Sequence, residues 1–209
     1  MTWSVVAGTA GAVAGGLGGM LLRSLRRGVV VPRFACGLAV AVLWSVVGLS
    51  VSCGWMPPWW VPVPLWLGWL AVLLTACDLI ARRLPDVLTL TAYPVAALLL
   101  GAADPGLLLG GLTGLVLFAG LYLGVRVLSP ASIGPGDVKL AGSLGAVVGA
   151  VSVPAVLGCV AVAAGLTLVV AARSRGAAVA HGPAMLLPAW LVAAFPAAFG
   201  GPEVTAGAW

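Results

Sequence analysis

Long runs of apolar residues recur from one end of the chain to the other, separated by short segments that hold nearly all of its charge. Within a run the apolar positions follow neither the two-residue alternation of a half-buried strand nor a one-sided helical stripe. They are apolar on every face. That pattern fits helices in lipid and excludes a transmembrane barrel, whose strands alternate. A span of the ~30 Å hydrocarbon core takes about 20 such residues, and the runs predict eight helices. The first covers about 3–22 and the second about 34–53. The third ends near Leu79, the fourth covers about 87–103 and the fifth ends near Leu128. A short sixth reaches from Asp137 to about Ala150, the seventh covers about 152–172 and the eighth about 183–200. The fold class expected is all-α and polytopic. It forms a single membrane domain over 1–209, with an N-terminal helix pair (1–58) and a six-helix catalytic core (59–200).

Details within the runs refine this picture. Gly11, Gly15 and Gly19 stand four apart in the first run, a spacing that lets helices pack closely in lipid. Pro57, Pro58, Trp59, Trp60, Pro62 and Pro64 predict a rigid aromatic connector at a headgroup boundary. Basic residues follow the first run instead of preceding it, the wrong order for a cleavable signal peptide.

Composition and charge add the topology. With 62% hydrophobic and 7% charged residues, the 209-residue chain has too little polar surface for a soluble domain. Its net charge of +5 is too sparse for a nucleic-acid surface. Alternating spans place Arg23, Arg26, Arg27, Arg33, Arg82, Arg83, Arg126, Lys139, Arg173 and Arg175 on one side, and Asp104 and Glu203 on the other. The positive-inside rule makes the first side cytoplasmic and puts both termini outside, in a cell membrane. Cys36, Cys53, Cys77 and Cys159 stand singly, with no CxxC spacing, and read as small apolar packers. No metal or cofactor site is expected.

Two acids stand apart from this economy of charge. Asp78 ends the third apolar run, and Asp137 follows Gly134-Pro135-Gly136 at the start of the sixth. An acid near membrane depth costs a few kcal/mol, which makes each a candidate functional group. Both fall on the predicted cytoplasmic side. The sixth helix, about 13 residues and roughly 20 Å long, is too short to cross, as if the glycine loop dipped inward. Such backbone is tolerated only inside protein or beside water. Two carboxylates held a few ångströms apart share one proton, the arrangement aspartyl peptide hydrolysis needs. Helix dipoles favour the Asp137 anion at a helix start and oppose the Asp78 anion at a helix end, so Asp78 is expected to carry the proton and Asp137 to act as base. Taken singly, Asp137 also reads as a helix cap and Asp78 as an interfacial charge. A transporter or channel using the two acids as a proton or cation site is the alternative.

The wider context of the acids resembles the type IV prepilin peptidases, intramembrane aspartyl proteases that include the archaeal preflagellin peptidases. The first motif is Asp78 with Leu84-Pro85-Asp86 after it, continuing Val87-Leu88-Thr89. The second is Gly134-x-Gly136-Asp137-x-Lys139-Leu140, continuing into Ala141, Gly142 and Gly145. The resemblance implies Asp78 and Asp137 as catalytic acids and Gly134 and Gly136 as shapers of the active loop. It also implies an activity, removal of the basic leader from prepilin-like or pseudopilin precursors at the cytoplasmic face. Pro85 is expected to fix a turn and Asp86 to cap the fourth helix. Lys139 either attracts an acidic residue of the substrate or is one more inside-positive anchor.

Departures from the family pattern matter as well. Larger members carry a cytoplasmic domain with paired CxxC motifs after the first helix, associated with N-methylation. Here only Arg23 to Arg33 lie in that place, so a peptidase without methyltransferase activity is expected. Near the end, Ala180-His181-Gly182-Pro183 replaces a Pro-Phe-Gly-Pro segment, and the lone His181 reads as a solvated loop residue. The related presenilin-type proteases have a tyrosine before the first acid, where Cys77 stands here. The partners expected are the precursor substrate and the lipid bilayer, with no nucleic acid.

Overall fold

A helix in lipid must satisfy its own backbone, and the protein is built almost entirely that way. The computed structural model describes residues 2–26, 28–130, 132–174 and 179–201. Arg27, Arg175 and Glu203 of the charge pattern lie outside the described residues. Among those described there are eight α-helices and no strand: α1 (Thr2–Ser24), α2 (Arg33–Ser52), α3 (Pro62–Ala81), α4 (Asp86–Ala103), α5 (Leu107–Leu128), α6 (Pro135–Val151), α7 (Val153–Arg173) and α8 (Gly182–Ala194). Six are long and apolar enough to cross a membrane.

The other two, α6 and α8, are short and lie inside the bundle. Every residue of α6 from Leu140 to Val151 is buried, as are nine of the 13 residues of α8. At about 1.5 Å per residue, α6 is roughly 25 Å long, still less than the hydrocarbon core. It is longer than expected because Pro135 and Gly136 form its first turn instead of a loop. The predicted eighth helix is interrupted before Gly200. Proline at 196 pushes Phe195 out of the helical region (φ −131°, ψ 56°), and the chain continues as a 3₁₀ turn over Pro196–Phe199.

Glycines set the two closest helix pairs. In α1, Gly11 and Gly15 lie against the α2 backbone: a Cβ on Gly11 would stand 3.0 Å from Ala41 Cα, and one on Gly15 would collide with the Cys36 carbonyl. The second pair was not anticipated. Gly110 and Gly114 of α5 interlock with Gly145 and Gly149 of α6, and a Cβ on Gly114 would lie 2.6 Å from Gly149 Cα. Small residues replace the hydrophobic drive that is missing between helices in lipid.

Tryptophans brace the remaining contacts. The indole N–H of Trp60 donates to the Ala193 carbonyl (2.9 Å), that of Trp69 to Ala14 (3.0 Å) and that of Trp190 to Pro64 (3.1 Å). The expected connector is therefore corrected. Of its two tryptophans Trp59 is exposed and Trp60 fully buried, and Pro62 and Pro64 already belong to the first turn of α3. Cys36, Cys77 and Cys159 are buried packers, whereas Cys53 is exposed at the end of α2, and all four are free.

Candidate active site

The end of α3, the last turn of α5 and the starts of α4, α6 and α8 converge on one end of the bundle. There a cavity of about 380 Å³ is lined by Asp78, Arg82, Arg83, Asp86, Asp137 and Lys139, with Leu84 and the Gly134–Gly136 backbone. The two singled-out acids thus come from different helices onto one cavity, close enough for Asp137 to feel the Asp78 charge.

Asp78 lies in the last turn of α3 and is almost wholly buried. The helix stops four residues later, where Arg82 adopts a left-handed conformation (φ 50°) and donates its N–H to the Asp78 carbonyl (3.0 Å). Its carboxylate is held from across the bundle: the Gly182 N–H, first in α8, donates to Asp78 Oδ2 at 2.8 Å. A side chain at 182 would crowd that oxygen.

Asp137 is the third residue of α6 rather than its cap. Gly134 occupies the cap position, and its N–H donates to Asp137 Oδ2 at 3.2 Å. This is the carboxylate half of a capping box; glycine has no side chain to supply the other half. The incoming loop is tied down by Arg126, whose Nη1 donates to the Ile133 carbonyl (2.7 Å). Gly136 faces Leu84, with only 3.3 Å between the position of a Cβ and that of the leucine.

The premise that separated the acids by helix dipole does not survive this geometry. Asp78 ends α3, but it also sits at the start of α8. Each acid therefore accepts one backbone N–H at a helix N-terminus, where an anion is favoured.

Asp86 and Lys139 are corrected too. Pro85, in extended conformation (φ −63°, ψ 123°), holds the cap position of α4, and its carbonyl accepts the N–H groups of Leu88 and Thr89. Asp86 is the first helical residue instead, and its Oδ1 accepts from Lys139 Nζ at 2.7 Å. The lysine is engaged within the cavity wall. Its own backbone is fixed by Tyr93, whose hydroxyl donates to the Lys139 carbonyl (2.6 Å) and which packs on Gly142.

His181 is not a solvated loop residue. It is half-buried at the cap of α8, with Nε2 2.8 Å from the Tyr122 hydroxyl and Nδ1 2.6 Å from Thr167 Oγ1. Burial pushes its imidazole below the ordinary value of 6.5, and the nearby Asp78 charge draws it partly back. Sequence reasoning passed over Tyr122, Thr167 and Tyr93. A tyrosine or threonine inside an apolar run needs a hydrogen-bond partner, and that was the available signal.

No group of three or more metal-binding side chains occurs among the described residues. Compared with known families, residues 65–171 match the type IV leader peptidase family, a stretch that contains both acids. The chain belongs to the type IV leader peptidase family. No curated protein and no solved structure matches it. Family membership makes the chain a leader-peptidase-like protease, and its apolar helices make it a membrane protein.

Proposed function

We propose that this peptidase is an aspartyl endopeptidase that removes the basic leader of type IV prepilin-like or pseudopilin precursors at the cytoplasmic face of the cell membrane, with Asp78 and Asp137 as its catalytic pair. One observation carries the reading: two buried or half-buried acids from α3 and α6 line one cavity, and each is oriented by a single backbone N–H. Orientation by backbone leaves the second carboxylate oxygen of each acid for water or the scissile carbonyl.

In the reaction the ionised carboxylate takes a proton from a water, and the oxygen of that water bonds to the peptide carbonyl carbon. The protonated partner donates to the carbonyl oxygen. Collapse of the tetrahedral adduct breaks the C–N bond: the leaving amine takes the proton from the carboxyl that received it, and a hydroxyl of the adduct returns its proton to the other carboxylate as the new carboxyl C=O forms, which restores the singly protonated pair. With each acid held by one backbone N–H and the two facing one cavity, they titrate as a unit, and the shared proton belongs to the pair and not to either residue.

Gly134 leaves the space beside the Asp137 carboxylate free of a side chain, Gly136 lets the start of α6 pack on Leu84, and the Asp86–Lys139 pair links α4 to α6. The short link between α1 and α2 supports a protein that cleaves without methylating. The test is cleavage of a purified prepilin in detergent. Asp78→Asn and Asp137→Asn should each give a folded protein without leader cleavage, and the double variant should be no worse, because residues acting as a unit are non-additive. A wild-type rate in either single variant would refute the pairing.

A further inference from the structure

The single histidine of the chain has both ring nitrogens committed, and the contacts determine which of them carries the proton of the neutral ring. Thr167 Oγ1 lies 2.8 Å from the Ala163 carbonyl, which can only accept, so the one threonine hydroxyl proton goes there. Thr167 must then accept from His181, which puts the proton on Nδ1. In the neutral ring Nε2 is then left with its lone pair and accepts the Tyr122 O–H. The three residues come from α5, α7 and the cap of α8. The Tyr122 and His181 rings also touch, 5.5 Å between centroids.

This knot lies immediately behind the acids. The residue after His181 is Gly182, whose N–H holds Asp78. Asp137 acts electrostatically on the Tyr122 hydroxyl, and Asp78 and His181 act on one another. Cys159 is the other titratable group near Tyr122. None of these is a cation that would replace the imidazole.

We infer that His181 is a positioning residue. As the neutral Nδ1–H tautomer, clamped between Tyr122 and Thr167, it fixes the start of α8 so that the Gly182 amide holds the Asp78 carboxylate in its working orientation. The inference rests on the proposed role of Asp78. The peptide plane that carries the Gly182 N–H is held on its other side by the His181 carbonyl, which accepts from Ala184 (3.1 Å) and Met185 (3.3 Å), so the imidazole clamp sets where this first turn of α8 stands and not its internal geometry.

Because the chain has one histidine, full-length protein labelled with ring-¹⁵N histidine gives the signals of one imidazole in detergent micelles. The Nδ1–H neutral tautomer is expected, persisting below the ordinary imidazole value of 6.5. An Nε2–H tautomer, or a ring already charged there, would overturn the clamp. In the cleavage assay Tyr122→Phe and Thr167→Val should each lower kcat about tenfold with KM within about twofold, as expected for misplaced catalytic groups. Thr167→Ser, which keeps the hydroxyl, should restore the rate, and His181→Phe should be no worse than the Tyr122→Phe/Thr167→Val double variant. Full kcat in folded Tyr122→Phe and Thr167→Val would overturn the inference. The reading of Asp78 fails separately: it falls if Asp78→Asn cleaves, whatever tautomer the spectrum shows.

Discussion

Alanine at position 182 isolates the geometry of Asp78 from its chemistry. The substitution keeps the backbone N–H that holds the carboxylate and adds only a methyl group. That methyl would stand 2.8 Å from Asp78 Oδ2 and 3.3 Å from its Cγ, where ordinary contact begins at 3.4 Å. The carboxylate must retreat by about 0.6 Å, the difference between the two oxygen distances. Gly182 is not among the residues with positive φ, so alanine meets no left-handed strain, but Pro183 after it disfavours the helical region for a residue with a Cβ. A side-chain torsion forced about 30° from its well costs about 0.5–1.5 kcal/mol, and the strain before Pro183 adds to it, so the melting temperature should fall while the protein still folds.

The rate is more sensitive. A displacement of about 1 Å in a reacting group can cost about a hundredfold, so a shift of this size should lower kcat by on the order of tenfold. That is about 1.4 kcal/mol of barrier. Leader binding does not involve the retreating oxygen, so KM should hold. The assay is steady-state cleavage of purified prepilin in detergent over a range of substrate concentrations, with a melting curve on the same sample. A folded Gly182→Ala protein with wild-type kcat would refute the claim that the amide at the start of α8 sets the working position of Asp78.

Three further outcomes follow from other contacts. Lys139 and Asp86 are 42% and 39% exposed, so Lys139→Gln or Asp86→Asn should each change stability by less than about 1 kcal/mol, read as thermal melting, with the double variant little worse than either. Gly114→Leu should prevent α5 from closing on α6 and yield protein that elutes as aggregate or melts far below wild type, whereas Gly120→Leu, with nothing within 4 Å of its Cβ, should behave normally by size-exclusion. Cysteine introduced by Arg82→Cys should be labelled only from the cytoplasm and by Asp104→Cys only from outside, in a background without the exposed Cys53; labelling of position 82 from outside would reverse the orientation.

What could be read from the sequence was whatever depends on neighbours along the chain. The apolar runs predict the helices to within a few residues, and the cost of an isolated acid singles out Asp78 and Asp137, which do share a cavity. What could not be read was how helix ends meet. Asp86 looked like a cap because an acid before an apolar run usually is one, but Pro85 already provides the extended residue where the helix begins, and Asp86 turns to Lys139, 53 positions away. His181 looked solvated because nothing beside it in sequence can bind it; its partners are 59 and 14 positions away on other helices. The dipole argument failed for the same reason, since it counted the helix that Asp78 belongs to and not the one it faces. The glycine pairs of α5 and α6, spaced four apart like those of α1, were legible and went unread.

The family likeness ends at residue 171, yet the amide that orients Asp78 is at 182 and the imidazole behind it at 181. The helices on either side of the matched stretch therefore stand differently toward the chemistry. The N-terminal pair reaches α3 through Trp69, whose indole donates to Ala14, and through Gly18, on which Trp69 and Leu73 close. Trp69 is more than two helical turns before Asp78, while Cys36 of α2 reaches Cys77, the residue before the acid, so α1 and α2 brace the helix that bears it up to its last turn. By contrast α8 touches the acid directly, and it does so with backbone, which no substitution of its side chain deletes. Loss of α8 would strip Asp78 of its only cross-bundle donor among the described residues and leave a buried carboxylate without that partner, which is costly. A site whose two acids are both recognisable in the matched stretch is thus completed by a residue beyond it.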